Sequence, residues 1–443
     1  MRRLTEIRHR AQLIIISPEK RMLDMDKIKT NLKDFLLCIS KTQDLISPVL
    51  TNHHQQVAYL SYRLAEKIGF AHEHIKDITL AALVHDIGAL SIEERIELIE
   101  TDPLYTHTHA FRGAKLLSGF APLKNSIQII KYHHMNWENG KNTDYRGENV
   151  PYMSHVIHLA DRVCASISPN RNILSQIPYI YEKIRSRSGT QFEPNIVDAF
   201  GELCGLEYVW LDLISRSPVD NINDPGLFDM LDLNIDEVLN LSTLFSQLID
   251  FRSSFTARHS AGVAKTAECI AGLVGFSRYE CKMMKIAGYL HDLGKVAISN
   301  DILEKPGKLK DLELNEIRAH TYYTYRLLEP IKQLQTINIW ASFHHEKLDG
   351  TGYPFHIKGE NLPLGSRIMA VADVFTAITE NRPYRKGMNT AEVKSILGDM
   401  VSSGAIDARI VKALTDNYES VNMLRKQAQL EAADDYRQFL SIK

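Results

Sequence analysis

Phe343-His344-His345-Glu346-Lys347-Leu348-Asp349-Gly350-Thr351-Gly352-Tyr353-Pro354 sets two adjacent histidines at the end of an apolar run and follows them with turn formers. Upstream, Ile337, Ile339, Trp340 and Phe343 recur as on one face of a helix, and the Gly, Asp and Pro residues then break the period. A histidine pair at a helix end, with a loop that brings backbone close to whatever the imidazoles hold, suits a metal centre beside a substrate channel. Tyr289-Leu290-His291-Asp292-Leu293-Gly294-Lys295 has the same design. An apolar helix runs into His-Asp, and Gly294 is expected where that helix stops.

Further out, the same pattern occurs twice. His53 to His85 is 32 residues, as is His259 to His291; His109 to His133 is 24, as is His320 to His344. His134 to Asp161 is 27 residues against 28 for His345 to Asp373, and Gly147-Glu148-Asn149-Val150-Pro151 answers Gly359-Glu360-Asn361-Leu362-Pro363. The second copy has 5 extra residues between its His-Asp pair and the next histidine, in a stretch around Glu304 to Leu309 expected to form a loop over the site. Matched spacing at seven ligand-type positions marks a tandem duplication. Helical spacing prevails in both halves, with few alternating β-branched runs, so the expected fold is all-α: two tandem helical-bundle domains behind a short N-terminal arm. Turn formers between Ser217 and Gly226 place the boundary near 220, giving domains 1–220 and 221–443. Asp24 to Ile46 and Asp236 to Phe251 are expected as matching opening helices. The charged tail from Ser420 is expected as a solvated helix without chemistry of its own.

At 443 residues the chain has room for two or three domains. Its net charge of −2, with 24% charged residues, gives no electrostatic case for a DNA-binding or membrane-surface protein. Five scattered cysteines argue against a disulfide framework or a thiolate zinc site and suit a reducing cytoplasm. The longest early apolar run, Leu13 to Ile16, is too short to span a bilayer and is expected to be a strand or packed arm.

Imidazole and carboxylate ligands without thiolate favour Fe, Mn or Zn. One tetrahedral zinc needs about four ligands. Seven candidates converge in the second copy: His259, His291, Asp292, His320, His344, His345 and Asp373. A set of that size, sharing one carboxylate, serves two metals. Arg382 and Arg385 flank Pro383-Tyr384 shortly after Asp373, where two guanidinium groups would clamp a second phosphate.

This series resembles the HD-GYP family, a branch of the HD superfamily of metal-dependent phosphohydrolases, over about Thr256 to Arg385. The resemblance implies that Asp292 bridges two divalent ions, Fe or Mn first and Zn, Ni or Mg as alternatives. His259, His291 and Asp373 would hold one, and His320, His344 and His345 the other. Asp292 and Lys295 would be the catalytic groups, with Lys295 steadying the phosphoryl oxygens or the nucleophile. Gly352, Tyr353 and Pro354 would border the substrate, together with Lys295, Arg382 and Arg385. Some family members hold a third ion through a glutamate four residues before the first histidine; Phe255 stands there, so two ions are expected. The implied activity is hydrolysis of a cyclic dinucleotide, cyclic di-GMP or 3′,3′-cyclic GMP-AMP, by metal-activated water. The alternatives are another nucleotide phosphohydrolase and a silent cyclic dinucleotide receptor. No DNA or membrane partner is expected; a homodimer is one arrangement open to the chain.

The first copy keeps a ligand set on paper: His53, His85, Asp86, His109, His133, His134 and Asp161. Ala89 takes the Lys295 position, Trp137 to Asn142 replaces the Gly-Tyr-Pro loop, and Asn170 and Ile173 fall where the arginines would be, although Arg171 is a neighbour. This copy is expected to be non-catalytic, supporting or regulating the second and perhaps a second metal site.

Overall fold

A computed structural model describes residues 28–45, 52–89, 94, 107–250, 256–303, 305, 307–381 and 386–441. The Leu13–Ile16 run, Phe255, Arg382 to Arg385, and Glu304 and Pro306 of the expected loop lie outside the described residues. The all-α expectation holds, with 69% of the chain helical.

Two units divide the chain, Asn31–Asp229 and, from Met230 to Leu440, a second that also takes in residues 28–30. The first unit contains helices α1 (Leu32–Asp44), α2 (His53–Ile68), α3 (His72–Ala82), α4 (His107–Leu117), α5 (Ser126–Lys131), α6 (Tyr152–Ala165), α7 (Ile177–Arg185), α8 (Pro194–Cys204) and α9 (Glu207–Leu213). Its axis is α2, which packs against α3, α6 and α8 through Val57, Ala58, Leu60, Leu64 and Ala65, all buried. As its sequence suggests, α2 stops at Gly69, whose φ of 86° lets its N–H reach back to the Ala65 carbonyl.

In the second unit lie α10 (Ile235–Asp250), α11 (Thr256–Leu273), α12 (Arg278–Leu290), α13 (Asp311–Leu328), α14 (Gln335–Ser342), α15 (Leu364–Thr379), α16 (Thr390–Ser402), α17 (Ala408–Asp416) and α18 (Tyr418–Leu440). Here α11 is central, packed on α10, α12, α15 and α18. It meets α12 so closely that a Cβ on Gly288 would lie 2.4 Å from the Ala264 Cα. A capping box at Ser277 and Glu280 starts α12.

Three sequence expectations need correcting. Ile28 is not helical: Ile28–Asn31 (β1) pairs with Met230–Leu233 (β4), a ladder whose partner strand lies some 200 residues away. The remaining strands, Asp144–Tyr145 (β2) and Glu148–Asn149 (β3), form a short hairpin. Gly294 does not end a helix. α12 stops at Leu290, and Gly294 lies in a following 3-10 turn, Leu293–Ala297. Glycine is needed there because a Cβ would stand 2.0 Å from the His320 carbonyl oxygen. Gly88 repeats this in the first unit, 2.1 Å from the His109 carbonyl. Finally, the tail is not merely solvated: α18 lies along α11 and buries Val421 and the whole of Arg425.

Candidate metal centre

Each candidate ligand of the second copy sits at or near a helix end, where the backbone leaves carbonyls unpaired. Those carbonyls take the imidazole protons. His291 Nδ1 bonds to the Gly288 oxygen at 2.8 Å, His344 Nδ1 to Ala341 at 2.6 Å, and His320 Nδ1 to Ile317. The Nε2 lone pairs are thereby turned inward.

The inward atoms meet. Asp373 Oδ1 is 3.1 Å from His259 Nε2 and 4.0 Å from His291 Nε2. His320 Nε2 and His344 Nε2 are 3.4 Å apart, and His345 Nδ1 is 4.0 Å from Asp373 Oδ2. Asp292 lies between the groups, with Oδ2 3.2 Å from His291 Nε2 and Oδ1 3.4 Å from His320 Nε2. All seven are buried except His345 and Asp373, which are partly open.

Burial, and then the neighbouring cation-capable rings, keeps His344 well below the usual imidazole range and lowers His345. His320 is pushed down to about 3, mainly by burial. For Asp292 burial opposes ionisation, but His291 and Lys295 outweigh it and hold the carboxyl well below its ordinary value. Asp373 is low for the same reason, through His259 and His345. At neutral pH, then, two imidazole lone pairs and a carboxylate oxygen face one another at 3.4 Å with no proton among them. Such an arrangement repels itself unless a cation sits between, and His291 Nε2 and Asp292 Oδ1 have no hydrogen-bond partner. The donor set therefore fits divalent ions, which require deprotonated ligands.

Lys295 donates to Asp292 Oδ2 and is partly exposed, so it can face a bound phosphate. The 343–354 loop folds back on the ligands. Tyr353 N bonds to the His345 oxygen at 3.1 Å, and its ring centroid is 4.9 Å from that of His345. Gly352 has no room for a Cβ, which would lie 2.4 Å from Lys347 N. Buried Glu346 holds the far side of the loop, accepting from Phe355 N at 2.6 Å and Ile357 N at 2.9 Å. Pro354 follows Tyr353 in the same turn. Arg382 and Arg385 lie outside the described residues, so the clamp remains an expectation.

Sequence reasoning missed three side chains here. Buried Glu380 accepts from His259 Nδ1, its oxygens 3.1 Å and 3.3 Å away, and itself receives Gln429 Nε2 from α18 at 3.1 Å. Burial opposes the charge on His259, yet the Glu380 carboxylate and the Asp373 hydrogen bond override it and push the group up to about 10. Arg318, two residues before His320, places its guanidinium 5.5 Å from the Tyr353 centroid. That position was the one available sequence signal; nothing in the sequence links Glu380 or Gln429 to His259.

The first copy reproduces the framework. His85 Nδ1 bonds to the Ala82 oxygen at 2.8 Å and His133 Nδ1 to Ile130 at 2.6 Å. His53 Nε2 is 3.0 Å from Asp161 Oδ1, and Asp86 again turns Oδ2 to His85 (3.2 Å) and Oδ1 to His109 (3.2 Å).

Models of the HD domain match residues 50–166 and 243–410, one in each unit. The chain is 30% identical over 404 residues to 3′3′-cGAMP-specific phosphodiesterase 1 of Vibrio cholerae, covering 89% of this chain and 93% of that protein. A cyclic di-GMP phosphodiesterase of Pseudomonas aeruginosa is 34% identical over 188 residues, 42% of this chain and 45% of its own length. A crystal structure of a cyclic GMP-AMP specific phosphodiesterase of V. cholerae shares the fold with a TM-score of 0.62 at 22% identity, over 88% of this chain and 98% of that one. No helix among the described residues is long and apolar enough to cross a membrane.

Proposed function

The chain belongs to the HD-GYP family of HD-domain phosphohydrolases, and from that premise we propose that its second copy hydrolyses a cyclic dinucleotide, 3′,3′-cyclic GMP-AMP first among the candidates. The observation that carries the reading is the Asp292 carboxylate, whose two oxygens face two separate histidine groups. Two divalent ions, Fe or Mn, suit that division, with His259, His291 and Asp373 on one side and His320, His344 and His345 on the other. Bound there, they would supply Lewis acidity to a phosphodiester and lower the pKa of a water.

The chain's own residues do the rest. Backbone carbonyls lock the imidazole tautomers. Lys295, held by Asp292, offers its ammonium to the non-bridging oxygens of the reacting phosphate, whose charge grows in the transition state. The partly open side of His345 and Tyr353 gives the substrate access, and Tyr353 offers a ring for a base to stack on. Arg318, and Arg382 with Arg385, are the cations for the second phosphate.

Support for 3′,3′-cyclic GMP-AMP comes from the relative that aligns along 89% of the chain; the P. aeruginosa relative that favours cyclic di-GMP aligns over 42%. Protein loaded with Mn or Fe, incubated with 3′,3′-cyclic GMP-AMP, cyclic di-GMP and cyclic di-AMP and chromatographed, is expected to yield a linear dinucleotide from the first. Binding without turnover of any of them would make the chain a receptor and overturn the proposal.

A further inference from the structure

The first copy retains its ligand framework but differs from the second in what surrounds it. Asp86, His109, His133 and His134 bring four ligand atoms within 4.8 Å of one another, and all four residues are buried, whereas His345 in the second copy is partly open. Asp86 Oδ1 is 3.2 Å from His109 Nε2 and 3.3 Å from His133 Nε2, and those two nitrogens are 3.4 Å apart. A tetrahedral sphere with bonds of about 2.0–2.1 Å has edges of about 3.3–3.4 Å. His134 completes the set: it is 7% exposed, and neither ring nitrogen has a hydrogen-bond partner.

Protein groups fill the space a substrate would need. Where the second copy has Ala370, the first has His158, whose ring centroid is 5.9 Å from that of His134 and 5.3 Å from that of Phe192. Buried Arg162 stands where the second copy has Val374 and binds Asp161 Oδ2 through Nε at 3.1 Å and a terminal nitrogen at 2.7 Å, tying up the oxygen that does not face His53. The segment after the histidine pair is strapped down, Trp137, Glu138 and Asn139 donating their N–H groups to the carbonyls of Gln191, Thr190 and Gly189.

We propose that the first copy holds one divalent ion, zinc by the chemistry of the donors, in a closed non-catalytic site made by Asp86, His109, His133 and His134. Structural zinc sites have four protein ligands and no open position, while catalytic ones keep a position for water or substrate. The ion ties together the turn after α3, the helix α4 and the segment after α5. The inference stands apart from the assignment of the second copy.

The test uses the full chain with the second site emptied by His291→Ala, Asp292→Ala and His344→Ala, purified without chelator. Elemental analysis is expected to find about one zinc per chain, and cobalt exchanged for it is expected to show the intense visible bands of tetrahedral coordination. No turnover of 3′,3′-cyclic GMP-AMP should accompany the bound metal. Adding His133→Ala and His134→Ala should remove the zinc and lower Tm; if that protein does not fold, the milder His134→Gln should lose the tetrahedral cobalt bands while keeping the helical circular dichroism. The proposal is overturned if the emptied chain takes up no metal, if its cobalt form shows the weak bands of six-coordination, or if it hydrolyses the dinucleotide.

Discussion

Replacing Glu380 by glutamine tests how the second copy holds its first histidine. Glutamine keeps the side-chain length and leaves an amide oxygen to accept from His259 Nδ1, but removes the charge. The wild-type carboxylate is 5% exposed and lies 3.1 Å and 3.3 Å from that nitrogen, with Gln429 fixing it from behind. A hydrogen bond to a charged group contributes about 1.5–3 kcal/mol, roughly 10- to 150-fold in an equilibrium constant. Outer partners of metal-bound histidines cost about 10–100-fold in affinity or activity when changed. The two ranges agree, so Mn affinity, measured by competition with a chelator, is expected to fall about 10–100-fold. Turnover should fall at limiting metal and recover at saturation, because Glu380 touches the ligand and not the substrate site. Unchanged affinity would refute this reasoning. So would a loss of turnover that is the same at every metal concentration.

Gly294→Ala places a Cβ 2.0 Å from the His320 carbonyl, against backbone that cannot yield cheaply. A loss of about 1–3 kcal/mol by chemical denaturation is expected, with metal affinity lost alongside; a neutral result would mean the turn relaxes freely. Lys295→Met should lower kcat by about 10²-fold or more while elemental analysis finds the metals retained; their loss would make Lys295 a structural prop for Asp292. Asp250 is buried on α10, bonded to Ser246 and Ser260, and burial pushes its carboxyl up to about 7. An acid whose folded pKa is raised binds more protons in the folded state, so stability is greatest below the unfolded value of about 3.9 and declines until pH 7. Asp250→Asn should therefore be the more stable protein at pH 8, by up to about 4 kcal/mol, and lack that share of the decline; equal pH dependence in the two proteins would contradict it.

The ligand residues were legible because each lies in a short local pattern at a helix end, and because the pattern occurs twice with matching spacing. Glu380 and Gln429 were not, being 121 and 170 residues from His259. Reaching it requires α15 and α18 to pack on α11, and α18 betrays this with few apolar residues because its deepest side chain is the buried Arg425. Gly294 was noticed for the wrong reason: local rules read glycine as a helix stop, whereas the constraint is a carbonyl on another helix.

What the amino-acid order determined by itself was the helical class, the tandem repeat and the identities of the clustered histidines and aspartates, since these depend on period and spacing along the chain. Packing alone decided that one cluster is partly open and the other closed over. The difference rests on His158, Arg162 and the strapped Trp137 segment meeting side chains distant in sequence. Burial and the approach of charges are properties of neighbours in space, and no local pattern encodes them.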